Sequence, residues 1–125
     1  MIPAIYVYGF YADLIVSGDK TIETRTRDML KRFVGQRVAV IKTHPSRQSE
    51  VVGEVTIDRK TFETAQDLDL LRCETLIPYG DKYDCKGGGK WCYWLKDAVR
   101  YERPILLERF RIISRTRSFA ILEEE

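Results

Sequence analysis

Residues Gly18 to Arg25 read GDKTIETR, and the reading of this stretch decides the fold. Gly18 stands where a helix ends in a left-handed turn, because only glycine reaches positive φ without a Cβ clash. Before it, Phe10 to Val16 set Phe10, Leu14 and Ile15 at helical spacing, and before that Ala4 to Tyr8 form a short β-branched and aromatic strand. After it, Thr21 to Thr26 alternate and are rich in β-branched residues, so Thr21, Glu23 and Arg25 share one strand face and Ile22 and Thr24 the other. A strand, a short helix, a glycine stop and a second strand therefore carry Lys20, Glu23 and Arg25 close together.

Downstream, Arg27 to Val34 reads either as a turn of helix or as a loop, with Gly35 as a breaker. Arg37 to Thr43, containing VAVI, is a strand, and His44 to Ser49 is a polar connection. Glu50 to Arg59 alternates Val51, Gly53, Val55 and Ile57 against Val52, Glu54, Thr56 and Asp58, the pattern of a half-buried strand. The period changes at Glu63 to Leu76, where Ala65, Leu68, Leu71 and Leu76 predict one helix with acidic residues near its start. Ile77 to Lys90, with Pro78, Gly80 and the triplet Gly87, Gly88 and Gly89, is a long loop of the kind that borders sites. Trp91 to Leu95, Pro104 to Phe110 and Phe119 to Leu122 supply the remaining strands. The order implies an α+β fold, a small mixed β-barrel with two or three short helices, in which the first and last strands meet.

A chain of 125 residues, 44% hydrophobic, fits one domain spanning residues 1–125 with one core. The net charge of +2 is too small to mark a nucleic-acid binder unless the basic residues gather on one face. Two groups offer such a face: Arg25, Arg27, Lys31, Arg32 and Arg37, and Arg109, Arg111, Arg115 and Arg117. Barrel closure would merge them into a positive track, whereas neighbours such as Asp28 and Glu108 would neutralise them as ion pairs. Three cysteines without tight pair spacing, no charged leader followed by an apolar run, and no apolar stretch of about 20 residues set the expectation of a reduced, cytoplasmic protein with no membrane partner.

Several chemistries are poorly served. Cys85 and Cys92 have no nearby histidine, so no metal site is expected. KGGGKW lacks the spacing of a phosphate-cradling loop and no hydroxyl residue follows Lys90; it reads as a mobile lid or a hairpin loop, and no cofactor is expected. His44 is the only histidine, which removes two-histidine nuclease and Ser-His-Asp mechanisms.

Gly18, Lys20, Glu23 and Arg25 together spell G-x-K-x-x-E-x-R, which resembles the signature of the ASCH superfamily, small β-barrels similar to the PUA domains that bind RNA. The resemblance is strongest over Tyr6 to Val40, where the signature follows a short helix and enters a strand. It implies a PUA-like barrel and a cleft beside Gly18 to Arg25. In such a cleft Lys20 would meet a phosphate or a carbonyl, Arg25 would offer a planar fork and Glu23 would accept from an exocyclic amine. The partners it implies are RNA or another single-stranded nucleic acid, or a modified nucleoside. Lys20, Glu23 and Arg25 are the central site candidates, with Tyr8 and Phe10 as stacking rings and Arg27, Arg109 and Arg111 as backbone contacts.

One branch of the superfamily looks like amidohydrolases of N4-acetylcytidine that use a lysine, a threonine three positions later and a distant glutamate. Lys20 falls on that lysine, but the threonine position is Glu23, which would hold a water as general base rather than act as nucleophile. Glu63 and Glu74 are the candidates for the distant glutamate. Other members look like ribonucleases, in which Lys20 and Arg25 would stabilise phosphate charge with Glu23 as base. Binding ranks first, hydrolysis with Lys20 and Glu23 as the catalytic pair second, and a purely protein–protein role third.

Overall fold

The computed structural model describes residues 1–124; the last glutamate of the run Glu123 to Glu125 lies outside them. One mixed sheet of seven strands organises them, in the order β2-β5-β4-β3-β1-β7-β6. The strands are β1 (Ile2–Tyr8), β2 (Ile22–Arg25), β3 (Arg37–Thr43), β4 (Glu50–Glu63), β5 (Lys90–Leu106), β6 (Phe110–Arg115) and β7 (Phe119–Glu124). The helices are α1 (Gly9–Val16), α2 (Ala65–Asp69) and α3 (Arg72–Thr75). None is long and apolar enough to cross a membrane.

The segment around Gly18 folds as its residues dictate. β1 runs into α1, which ends where Gly18 adopts φ +86° and donates its N–H to Ile15 at 3.0 Å. The Lys20 N–H then donates to the Leu14 carbonyl at 2.9 Å, so the chain folds back over the helix end before β2 begins. Tyr11, Ala12, Ile15 and Val16 of α1 bury themselves against Ile5 and Val7 of β1, together with Val38, Val40, Val55, Ile57 and Tyr93. Ala4 and the partly buried Tyr6, on the opposite face of β1 from Ile5 and Val7, join a second apolar cluster with Ala39, Ile41, Val51, Ala120 and Leu122. The alternation follows from the strand's period of two.

Three expectations need correction. The single helix over Glu63 to Leu76 is two short ones, because β4 continues through Glu63 and Thr64 then starts a new element, its Oγ1 accepting from the Asp67 N–H at 3.2 Å. Arg72 opens α3 after a break at Leu70 and Leu71, and Leu76 ends it in the left-handed region at φ +56°. Trp91 to Leu95 and Pro104 belong to one long strand, β5, whose register against β4 shifts three times; Leu107–Arg109 is a 3-10 turn.

The third correction concerns the barrel. First and last strands do meet, Ile2 opposite Leu122 and Ile5 opposite Phe119, but the sheet is not closed, since β2 and β6 end its order. The reason is the length of the β7 pairing. β7 covers β1 only as far as Ile5, after which the Tyr6 N–H donates to Ser118 and the edge from Tyr6 to Tyr8 is left without a strand. β2, four residues long, does not supply one. Instead the Arg25 guanidinium donates to the Tyr6 carbonyl at 2.7 Å, a side-chain hydrogen bond where a closed barrel would have a ladder.

Candidate functional site

The gap left by this incomplete closure is a cavity of about 940 Å³. Its walls come from the free end of β1 (Tyr6, Tyr8), from Tyr11 of α1, and from Lys20, Glu23 and Arg25. Ile77, Tyr83 and Lys90 border it from the long loop, and Arg115 and Arg117 from the β6–β7 turn.

Lys20 is 1% exposed, and Glu23, at 8%, is buried beside it. The Lys20 ammonium donates to the Thr75 carbonyl of α3, lies 3.9 Å from Glu23 Oε1 and sits 5.2 Å above the Tyr11 ring. Arg25 grips the other carboxylate oxygen, Oε2, at 2.9 Å. One anion therefore stands between two cations, which is what makes the burial of three charges tolerable. Burial pushes the Lys20 pKa below its ordinary value, against the pull of Glu23. Of the three ammonium hydrogens one is used on Thr75, and Glu23 Oε1 accepts no hydrogen bond among the described residues, so a donor and an acceptor stand side by side in the wall. The Tyr11 hydroxyl is buried with no hydrogen-bond partner among the described residues, and burial raises its pKa. A buried group of this kind costs about 1–3 kcal/mol until something bonds to it.

The loop that roofs the cavity has its own latch. Arg72 donates to the Ile77 carbonyl at 2.8 Å and to Asp84 Oδ1 at 3.0 Å, and also pairs with Asp69. Asp84 in turn accepts the Gly80 and Cys85 N–H groups, each at 2.9 Å. Lys90 donates to the Tyr83 carbonyl, and the Tyr83 ring meets Tyr11 edge-on at 5.8 Å and Tyr8 at 6.1 Å. Because the Arg72 hydrogen bond holds the Asp84 carboxyl below its ordinary range, the stability it contributes is present above the ordinary aspartate pKa and is lost as pH falls through the lowered value. Amide exchange protection at Gly80 and Cys85 is accordingly expected to stay constant from neutral pH down to about 4 and to collapse below it. Arg72→Leu should abolish that protection at neutral pH while the sheet amides keep theirs. Protection already lost near pH 6 would contradict the latch.

Of the site candidates named from the sequence, Lys20, Glu23, Arg25 and Tyr8 border the cavity, and Phe10, Arg27, Arg109 and Arg111 do not. Phe10 lies on the exposed side of α1, stacked on Tyr11 at 4.5 Å. Arg27 is exposed beyond the end of β2, Arg109 lies in the 3-10 turn, and Arg111 pairs with Glu123 at 2.8 Å. Neither proposed distant glutamate borders the cavity: Glu63 accepts from Thr61 at 3.0 Å, and Glu74 offers its backbone carbonyl to the Thr21 N–H while its Oε2 is buried without a partner among the described residues. Sequence reasoning does not single out Tyr83, Ile77 or Lys90 as wall residues; it ranks Tyr11 below Tyr8 and Phe10 as a stacking ring, and among the late arginines it favours Arg109 and Arg111 over Arg115 and Arg117. Tyr11 carried a usable signal, being one helical turn from Leu14 and Ile15 on the face that turns inward.

Comparison with known proteins agrees with this geometry at the level of the fold. The ASCH protein of Zymomonas mobilis superposes with a TM-score of 0.71 at 24% identity, over 85% of this chain and 73% of that one. The chain has an ASCH-domain fold. Two point-mutant forms of the Z. mobilis ASCH protein give the same result: TM-score 0.70 at 25% identity over 85% and 74% of the two chains, and 0.71 at 24% over 85% and 76%. No protein-family model matches the chain, and no curated protein does. In the ASCH fold seen here, the G-x-K-x-x-E-x-R residues Lys20, Glu23 and Arg25 form the ion-paired floor of the cavity.

Proposed function

We propose that this domain binds single-stranded RNA, or a modified nucleoside, by taking one unpaired base into the cavity beside Gly18 to Arg25. The observation that carries this reading is the pairing of a buried, incompletely used ammonium with a free carboxylate oxygen 3.9 Å away. Every nucleobase presents an acceptor next to a donor on its pairing edge, and that edge is free only when the base is unpaired. Simple anions would meet Glu23 as a repelling charge, which argues against a site for free phosphate. Tyr8 and Tyr83 offer ring faces beside the base, and Arg115 and Arg117, both exposed and outside every ion pair among the described residues, stand at the rim where phosphates would pass.

Binding is tested by fluorescence anisotropy with a short labelled single-stranded RNA. Lys20→Met should weaken affinity by about ten-fold or more, the loss of one charge-assisted hydrogen bond in a buried site. Arg115→Ala and Arg117→Ala leave the floor intact and should each reduce the slope of log affinity against log salt by about one. Arg111→Ala, outside the cavity, should change neither. Unchanged affinity and salt slope in Lys20→Met and in both rim variants would overturn the reading.

A second reading, hydrolysis of an amide such as that of N4-acetylcytidine, is favoured by one observation: burial lowers the Lys20 pKa, which makes its neutral form more accessible. A neutral Lys20 amine would take a proton from a water that attacks the acetyl carbonyl, and acetate and the free exocyclic amine would leave. Glu23 is engaged by Arg25 through Oε2. Release of acetate from a short RNA containing one N4-acetylcytidine that disappears in Lys20→Met would establish this reading; no release at high protein concentration would remove it. The ribonuclease form of the reading is tested in the same incubation by strand scission.

A further inference from the structure

We infer that the domain has a second base-binding position, a stacking shelf made by Phe62 and Trp91 on the sheet beside the cavity. This rests on the binding reading above. The register places the two positions together. Arg25 of β2 lies directly opposite Trp91 of β5, and Trp91 lies directly opposite Phe62 of β4, without a bulge in that part of the pairing. Residues directly opposite one another project from the same face of a sheet, so Arg25, Trp91 and Phe62 form one row that starts at the cavity wall. Neighbouring strands are about 4.8 Å apart, which puts Phe62 about 10 Å along the row from Arg25. Neighbouring bases of a single strand reach positions this far apart when they are unstacked and splayed out.

The shelf is built to stay in place. Phe62 is 50% exposed, yet its ring stands edge-on to Trp91 at 5.3 Å and 70°. Trp91 is half-buried against the main core, and the Lys60 ammonium lies 5.0 Å over its ring while pairing with Asp28. Behind Phe62 runs the backbone at Gly89, where a Cβ would come within 3.0 Å of the ring and 2.6 Å of the Glu63 carbonyl. A large aromatic held on two sides and open on a third loses little freedom when it stacks, so the gain from stacking is retained in affinity. Half of the Phe62 surface stays open, and the row it belongs to runs to Arg25 in the cavity wall. The occupant that fits is the base next to the one in the cavity, since every base has a π-face and the shelf offers no hydrogen-bonding code to prefer one.

The test compares the four ribonucleoside monophosphates with the four matching homotrinucleotides, by calorimetry, on the wild-type protein, Phe62→Ala and Phe62→Trp. The best trinucleotide should bind about ten-fold or more tightly than its mononucleotide. Phe62→Ala should remove most of that advantage and leave mononucleotide affinity unchanged; Phe62→Trp should keep the advantage. An advantage that persists undiminished in Phe62→Ala, or no advantage in the wild type, overturns the shelf while the cavity reading stands. Failure of every mononucleotide and trinucleotide to bind overturns both.

Discussion

Glu23→Leu is expected to lower the unfolding free energy by about 3–5 kcal/mol, a large part of what a domain of this size has. The carboxylate is buried between the Lys20 ammonium and the Arg25 guanidinium, and leucine would leave both cations facing each other with no anion. The loss belongs to unpaired charge and not to a cavity, because leucine fills most of the glutamate's volume. Two companions separate these causes in urea unfolding. Glu23→Gln, which still accepts from Arg25, should lose less than Glu23→Leu. Adding Lys20→Met to Glu23→Leu should restore part of the stability, since removing a buried ion together with its partner is far less harmful than removing one of them. A loss below about 1 kcal/mol in Glu23→Leu, or no recovery in the double variant, would mean that the floor is solvated and its charges uncoupled.

Gly53→Ala is the second large effect, and it acts far from the cavity. Gly53 lies in β4 where the register against β5 shifts, and its backbone φ is unremarkable; what matters is space. A Cβ there would stand 2.1 Å from the Val99 carbonyl and 2.8 Å from Cγ1 of Val16 in α1. One of these neighbours is backbone in the longest strand pair of the sheet and cannot turn away. The expected loss is about 3 kcal/mol or more, a fall of roughly 10 °C in Tm. Because Val16 closes the helix that Gly18 ends, α1 would shift with it, and Lys20, whose N–H is held by Leu14, would move too. A variant that melts within about 2 °C of the wild type would show that β4 and β5 separate more easily at the bulge than their pairing implies.

How far the sequence reveals these features depends on how local their causes are. The run from Ala4 to Arg25 is legible because each step has a short-range cause: β-branched residues for the strands, apolar spacing for α1, a glycine at φ +86° for the turn. The same locality brings Lys20, Glu23, Arg25 and Tyr8 to one place. The break at Leu70 and Leu71 is not legible, since the leucine spacing continues through it and only the extension of β4 to Glu63 displaces the helix start. Nor is the open barrel, because it depends on β7 stopping opposite Ile5, a matter of pairing length between strands at the two ends of the chain. Which of the late arginines border the cavity is not legible for a related reason. A register shift between Ile112 and Ser114 sits between Arg111, held by Glu123, and Arg115 at the turn beside the cavity. Roof residues such as Tyr83 are set by Arg72 and Asp84, twelve positions apart across an irregular loop, and no periodicity encodes that contact.

The central claim is that one base of a single-stranded RNA enters the cavity floored by Lys20, Glu23 and Arg25. The most direct measurement is an amide chemical-shift map of the protein titrated with a short single-stranded RNA. Saturable shifts concentrated at Tyr6 to Tyr8, Lys20 to Thr26, Tyr83 and Arg115 to Arg117 are the result this structure predicts. Saturable shifts confined to other surfaces, with those residues unmoved, or no saturable shifts with any of the four homopolymeric sequences, would contradict it.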